Sequence, residues 1–295
     1  MRVIYIAGTS HSGSTLLDLM LNAHPAIFAS GEVLKLNRQL KIKDARRGTH
    51  APCSCGAPSL WECRFWSAVD RRTRETSGKS LVDLDMLDYR DLDAASAPNA
   101  VVFKAIAEVS GKSFVVDSSK LPGRLSYLMR LKDLDVYPVH LVREPKGQIN
   151  SVVRKHGGFL KHIFRYELIH EQIRRALKSV PHSVVHYEDL VRDPKAALQS
   201  ILQPLGLDFD PRQLDWAGPR STRSPAITCA STLEASSCST KAGSRACRRS
   251  SSAPSSSARY SRARRCQRPA RCADQAQGSF QKKRQNYCPD TLSRA

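Results

Sequence analysis

The stretch GTSHSGST, Gly8 to Thr15, limits the folds open to this chain more than any other. It follows the apolar run Val3-Ile4-Tyr5-Ile6-Ala7 and precedes Leu16-Leu17-Asp18-Leu19-Met20-Leu21, which reads as helix. A strand that runs into a glycine-containing loop and then a helix N-terminus makes an anion site. The loop amides converge there, and the helix dipole adds roughly half a positive charge. Gly8 and Gly13 have the spacing of a P-loop, G-x-x-x-x-G-K-[ST], with Thr15 in the hydroxyl position. Ser14 stands where the lysine belongs, so little is present to hold a γ-phosphate. The loop therefore suits a single phosphate or phosphosulfate better than a triphosphate. The bland alternative is a strand-turn-helix corner that binds nothing.

Strands and helices alternate beyond this loop. Ala26 to Ser30 is a short extended piece, and Gly31-Glu32-Val33-Leu34 opens a helix. Glu32 reads equally as a carboxylate favoured by that helix start and as a catalytic group. Trp61, Phe65, Trp66 and Val69 have helical spacing and belong to a core, while residues 70–100 read as a polar helical excursion. Ala100 to Ser110 is a helix closed by Gly111. Ser113 to Val116 is a buried strand ending in Asp117-Ser118-Ser119-Lys120, with a helix through Leu131. Tyr137 to Val142 is a strand ending in Arg143-Glu144-Pro145, and its following helix buries Ile149, Val152 and Val153. Residues 161–179 form a long basic helix, Ser183 to Tyr187 a fourth strand, and Asp193-Pro194 caps a last helix. This order predicts an α/β domain over residues 1–216: P-loop-like, three-layered, with a mainly parallel central sheet and helices on both faces. Ligands then sit beyond the carboxyl ends of the strands, where the loop, DSSK and REP meet.

Near Trp216 the pattern breaks. Residues 217–295 carry 16 Lys/Arg against 3 Asp/Glu, 16 Ser and 6 of the 9 Cys. They keep Ile227, Leu233, Phe280 and Leu292 as large aliphatic or phenyl side chains, too few to offset ordering entropy, so disorder is expected. A shifted reading frame would produce the same abrupt loss. Most of the +20 formal charge lies in this tail. It has no stacking aromatics beyond Tyr260, Phe280 and Tyr287, which argues against nucleic acid as a partner. No apolar run is long enough for a membrane span, and no leader-like segment is seen. Nine cysteines without a secretory signal favour thiols over disulfides, and hence the cytoplasm. His50, Cys53, Cys55 and Cys63 could ligate zinc. Cys-x-Cys is tighter than usual zinc spacing, however, and no second pair follows, so a thiol-rich loop is the favoured reading.

Four ordered motifs now stand together: SHSGSTLLDLML…HP…GE, VVDSSK, HLVREPKGQINSVVRKHGG and HYEDLVRDP…L…LGL. Together they resemble the sulfotransferases that use 3′-phosphoadenosine 5′-phosphosulfate, most closely a bacterial branch with a C-x-C-G…C…FW insertion. The resemblance covers roughly residues 1–216. It implies that Ser12, Gly13, Ser14 and Thr15 grip the 5′-phosphosulfate and that Arg143 and Ser151 bind the 3′-phosphate. A guanidinium at a strand end offers a fork suited to that dianion. The resemblance also makes Glu32 the general base and puts Lys120 near the residue that stabilises the leaving phosphate oxygen. His11 stands where many members have Arg or Lys, so positive charge there depends on its protonation. The family's basic, glycine-containing C-terminal segment has no counterpart in residues 217–295. The implied reaction is in-line attack of a hydroxyl or amine of a small-molecule, carbohydrate or peptide acceptor, and these residues require no metal. Two other classes are weighed against it. The missing lysine and the lack of a Walker-B acid disfavour a nucleotide or nucleoside kinase, and a nucleic-acid binder would act through the tail alone.

Overall fold

Val3, Tyr5 and Ala7 enter one apolar core and Ile4 and Ile6 another, and all five are fully buried. Burial on both faces is the condition of a central strand in a parallel sheet. The structure, a computed structural model, describes residues 1–36, 40, 53, 55–93, 97–132 and 134–215. Its strands are β1 (Arg2–Gly8), β2 (Ile27–Ala29), β3 (Phe114–Lys120), β4 (Asp135–Val142) and β5 (Ser183–His186). They lie in the order β2-β3-β1-β4-β5 with every pairing parallel. The helices are α1 (Ser14–Asn22), α2 (Arg64–Ser77), α3 (Pro98–Ser110), α4 (Pro122–Leu128), α5 (Pro145–His156), α6 (Phe159–Leu177), α7 (Tyr187–Arg192) and α8 (Pro194–Leu202).

The two cores sort the helices into layers. Phe65 and Trp66 of α2, Phe103 of α3, Leu125 of α4 and Ile173 of α6 pack with Val3 and Tyr5. Leu17 and Leu21 of α1, Leu190 of α7 and Leu198 and Ile201 of α8 pack with Ile4 and Ile6. The expected three-layer α/β domain is therefore present. Strand order reverses at β1, which opens a crevice at its carboxyl end. Caps fall where the sequence puts them: Gly111 closes α3 at φ +65°, and Asp193 accepts from the Ala196 amide at 3.0 Å before Pro194.

Some local expectations are corrected. Residues 70–100 are not one helical excursion, because α2 ends at Ser77 and turns follow through residue 93. The cause is Asp70, buried, which accepts from the Ser80 hydroxyl at 2.6 Å and the Leu81 amide at 2.8 Å. That fold-back carries Leu81, Leu84 and Met86 into the core. The segment after Gly31 opens as a 3₁₀ turn, Val33–Lys35, with Leu36 and Leu40 helical beyond it, and β3 runs on through Asp117, Ser118 and Ser119 to Lys120. The expected break at Trp216, the tail of residues 217–295 and His50 lie outside the described residues. Among the described residues, no helix is long and apolar enough to cross a membrane.

Candidate active site

Gly8 ends β1, and the chain turns through Thr9–Gly13 into α1. Gly13 sits at φ +93° with the Tyr187 ring against its Cα, 2.2 Å from where a Cβ would be. Only glycine meets both conditions. His11 also has positive φ, 65°. The loop is held by its carbonyls: Ser12 Oγ donates to Thr9 O at 2.8 Å, Gln148 Nε2 to Ser10 O at 2.6 Å and Arg143 Nη1 to His11 O at 2.9 Å. With the carbonyls engaged, the Ser14 and Thr15 amides at the start of α1 remain for a ligand, while the Leu16 and Leu17 amides donate to Gly13 O at 3.0 and 3.2 Å.

Glu32 approaches from the next strand end. Its two carboxylate oxygens meet Lys120 at 3.0 Å and Lys35 at 2.6 Å. Lys120 also donates to Ser118 O at 2.8 Å, and its backbone has φ +72°. For a side chain other than glycine such a conformation is costly, and it persists where the surroundings impose it. The turn that carries Glu32 is fastened by β3: Asp117 Oδ1 accepts from the Val33 amide at 3.3 Å, and Ser119 Oγ from the Leu34 amide at 3.1 Å. Asp117 is itself fully buried against Arg124, 2.9 Å away.

Arg143 comes from the end of β4. Its guanidinium lies over the Tyr187 ring at 4.4 Å, and Ser151 Oγ is 3.1 Å from His11 Nδ1. One cavity of about 850 Å³ is lined by Gly13, Ser14, Thr15, His11, Glu32, Lys120, Arg143 and Ser151. The structure thus brings together every site residue expected from the sequence except Ser12, whose buried hydroxyl closes the loop from beneath. The sequence reading missed part of the lining: Gln148, Lys155, His156, Arg165, Tyr166 and Tyr187. Lys155 stands four residues after Ser151 on α5, a helical step that could have nominated it. Tyr187 belongs to the HYED motif.

His11 titrates below the usual histidine value. Burial is the main cause, followed by the positive neighbours Lys155, His156, Arg143 and Lys120. The imidazole is therefore neutral at pH 7. A multiply charged anion in the cavity raises that pKa, so between the free and the bound values the complex holds a proton the free protein lacks. Affinity for such an anion should then rise as pH falls through this window. Calorimetry on wild type and His11→Asn, a residue that tolerates positive φ, is the check. The variant should show a flatter profile, and identical profiles would remove His11 from the linkage.

Solved structures similar to the chain are sulfotransferases of low identity. One is the sulfotransferase domain of the Synechococcus PCC 7002 olefin synthase, with 22% identity and a TM-score of 0.48, covering 73% of this chain and 77% of that one. Another is the sulfotransferase domain of the curacin biosynthetic pathway, with 20% identity and a TM-score of 0.48, covering 77% and 84%. A third is a sulfotransferase of Mycobacterium tuberculosis, with 17% identity and a TM-score of 0.44, covering 73% and 70%. No curated protein matches the chain. The profile of the Sulfotransferase family matches residues 3–211, from β1 to just beyond α8, and the chain belongs to that family.

Proposed function

We propose that this sulfotransferase moves a sulfuryl group from 3′-phosphoadenosine 5′-phosphosulfate to a hydroxyl or amine acceptor. The observation that carries the reading is a single cavity lined by both the N-terminus of α1 and the Glu32–Lys120 pair, with Ser14 in place of a P-loop lysine. Its volume is in the range of nucleotide-sized sites, and Lys120, Arg143, Lys155 and Arg165 bring positive charge to it. The donor supplies an electrophilic sulfur and a phosphate leaving group. Ser14, Thr15 and the loop amides hold its 5′ end, and Arg143 with Ser151 holds its 3′-phosphate. Glu32 takes the acceptor's proton as the acceptor oxygen or nitrogen bonds to sulfur. Lys120 neutralises charge on the phosphate oxygen as its bond to sulfur breaks. Positioning and fixed charge do most of the work, as in phosphoryl transfer. Lys120 and Lys35 fix the position of the Glu32 carboxylate through ion pairs at 3.0 and 2.6 Å.

A thermal-shift panel tests the donor. A ligand at a hundred times its dissociation constant stabilises by about 2.7 kcal/mol, so 3′,5′-adenosine bisphosphate should protect strongly and ATP or AMP weakly. Equal or better protection by ATP would overturn the donor assignment in favour of a kinase. Arg143→Ala should weaken the bisphosphate about tenfold to a hundredfold, the worth of a hydrogen bond to a charged group. Adenosine 5′-phosphosulfate, which lacks the 3′-phosphate, should lose less. Equal losses for both would mean that Arg143 acts only through the His11 carbonyl and Tyr187.

A further inference from the structure

Outside the cavity lining, Cys53, Cys55 and Cys63 gather three sulfurs within 4.8 Å of one another. The Cys55 and Cys63 sulfurs are 3.7 Å apart, and none of the three cysteines is in a disulfide. The backbone is shaped to do this. Gly56 N–H donates to Cys53 O at 3.0 Å and Cys53 N–H to Ala57 O at 2.9 Å, which ties Cys53 back to Gly56 and Ala57. Gly56 makes the corner at φ +91°, a conformation that penalises any side chain. Cys63 occupies the N-cap position of α2. Cys53 and Cys63 are buried in the same core as Leu60 and Trp66, while Cys55 is exposed.

We propose that Cys53, Cys55 and Cys63 form a structural zinc site that fastens this loop to the start of α2. A tetrahedral Zn²⁺ with bonds of about 2.3 Å places its sulfurs about 3.8 Å apart. The three thiols stand within roughly an ångström of that triangle, so little rearrangement is needed. Cys-x-Cys spacing spoke against zinc in the sequence, but the turn closed by Gly56 removes the objection by drawing Cys53 and Cys55 to one side. Binding releases three thiol protons and oxidises nothing. A soft, thiolate-rich donor set favours zinc over magnesium or calcium. A disulfide between Cys55 and Cys63 is the competing state, but it uses two thiols and gives the third no role.

The test uses the full chain, purified under reducing conditions and measured for zinc by mass spectrometry of the elements. About one zinc per chain is expected, and cobalt exchanged into the site should give the visible absorption of tetrahedral cobalt thiolate. Replacing all six cysteines of residues 217–295 with serine should leave that stoichiometry unchanged. Cys55→Ser, at an exposed position, should abolish stoichiometric zinc while circular dichroism stays native. The proposal fails if reduced protein takes up no zinc, or if zinc persists in Cys55→Ser and is lost with the tail cysteines. Peptide mapping of thiol-blocked lysate that finds Cys55 joined to Cys63 would overturn it as well.

Discussion

Asp117→Asn should lower the stability of the domain by about 3–5 kcal/mol, the cost of breaking one side of a buried ion pair. Arg124 has no exposed surface, and its guanidinium meets Asp117 at 2.9 Å and the Asn99 side chain on α3. Asparagine keeps the shape of the aspartate but leaves a positive charge buried without its counter-charge. Asp117 also accepts from the Ser119 amide and hydroxyl and from the Val33 amide, so the turn bearing Glu32 loosens together with the core. For a domain of this size the melting temperature should fall by roughly 6–20 °C, and turnover should fall with it. Denaturant melts of wild type and variant measure the loss. A loss below about 1 kcal/mol would show that the pair adds little to the fold.

Glu32→Gln should cut turnover by about a hundredfold to ten-thousandfold, the usual worth of a positioned general base. The amide keeps the side-chain shape, and it still offers an oxygen to Lys120 or Lys35, so donor binding and melting temperature should change little. Single-turnover kinetics with a verified acceptor separates the chemical step from binding. If the variant runs at near wild-type rate, Glu32 serves to place Lys120 and is not the base. A parallel loss of donor affinity would also count against the assignment, since a base for the acceptor proton acts after the donor has bound.

The sheet was legible because its strands are written as continuous apolar runs: β1, β3 and β4 are buried on both faces and no other element competes for such a pattern. The loop residues, Glu32, Lys120, Arg143 and Ser151 were legible because they sit at strand ends or one helical step beyond, where this topology collects ligands. Asp117 was read as part of a polar strand end. Its partner Arg124 lies inside α4, and their pairing follows only from how α4 packs back on the sheet. The far wall of the cavity, Arg165, Tyr166 and Ile169, comes from α6. Nothing local in a basic helix shows which of its faces meets a loop at residues 8–15. Ser12 shows that a hydroxyl inside an anion loop is as useful for closing the loop, here by donating to Thr9 O, as for touching the anion.

The position of β1 in the sheet bears on how the chain acquires its fold during synthesis. Arg2–Gly8 is the central strand, yet its neighbours are Phe114–Lys120 and Asp135–Val142. At about 5–20 residues per second, translation leaves the apolar Val3–Ala7 segment without either partner strand for several seconds to some tens of seconds. Such a segment, β-prone and uncharged, is the kind that pairs with other chains when left open. Contacts of this sequence separation also close slowly once the partners exist, because the loop-closure entropy is met before any pairing rewards it. The yield of native protein should therefore depend on what shields residues 3–7 until β3 and β4 have emerged, more than on the stability of the finished sheet.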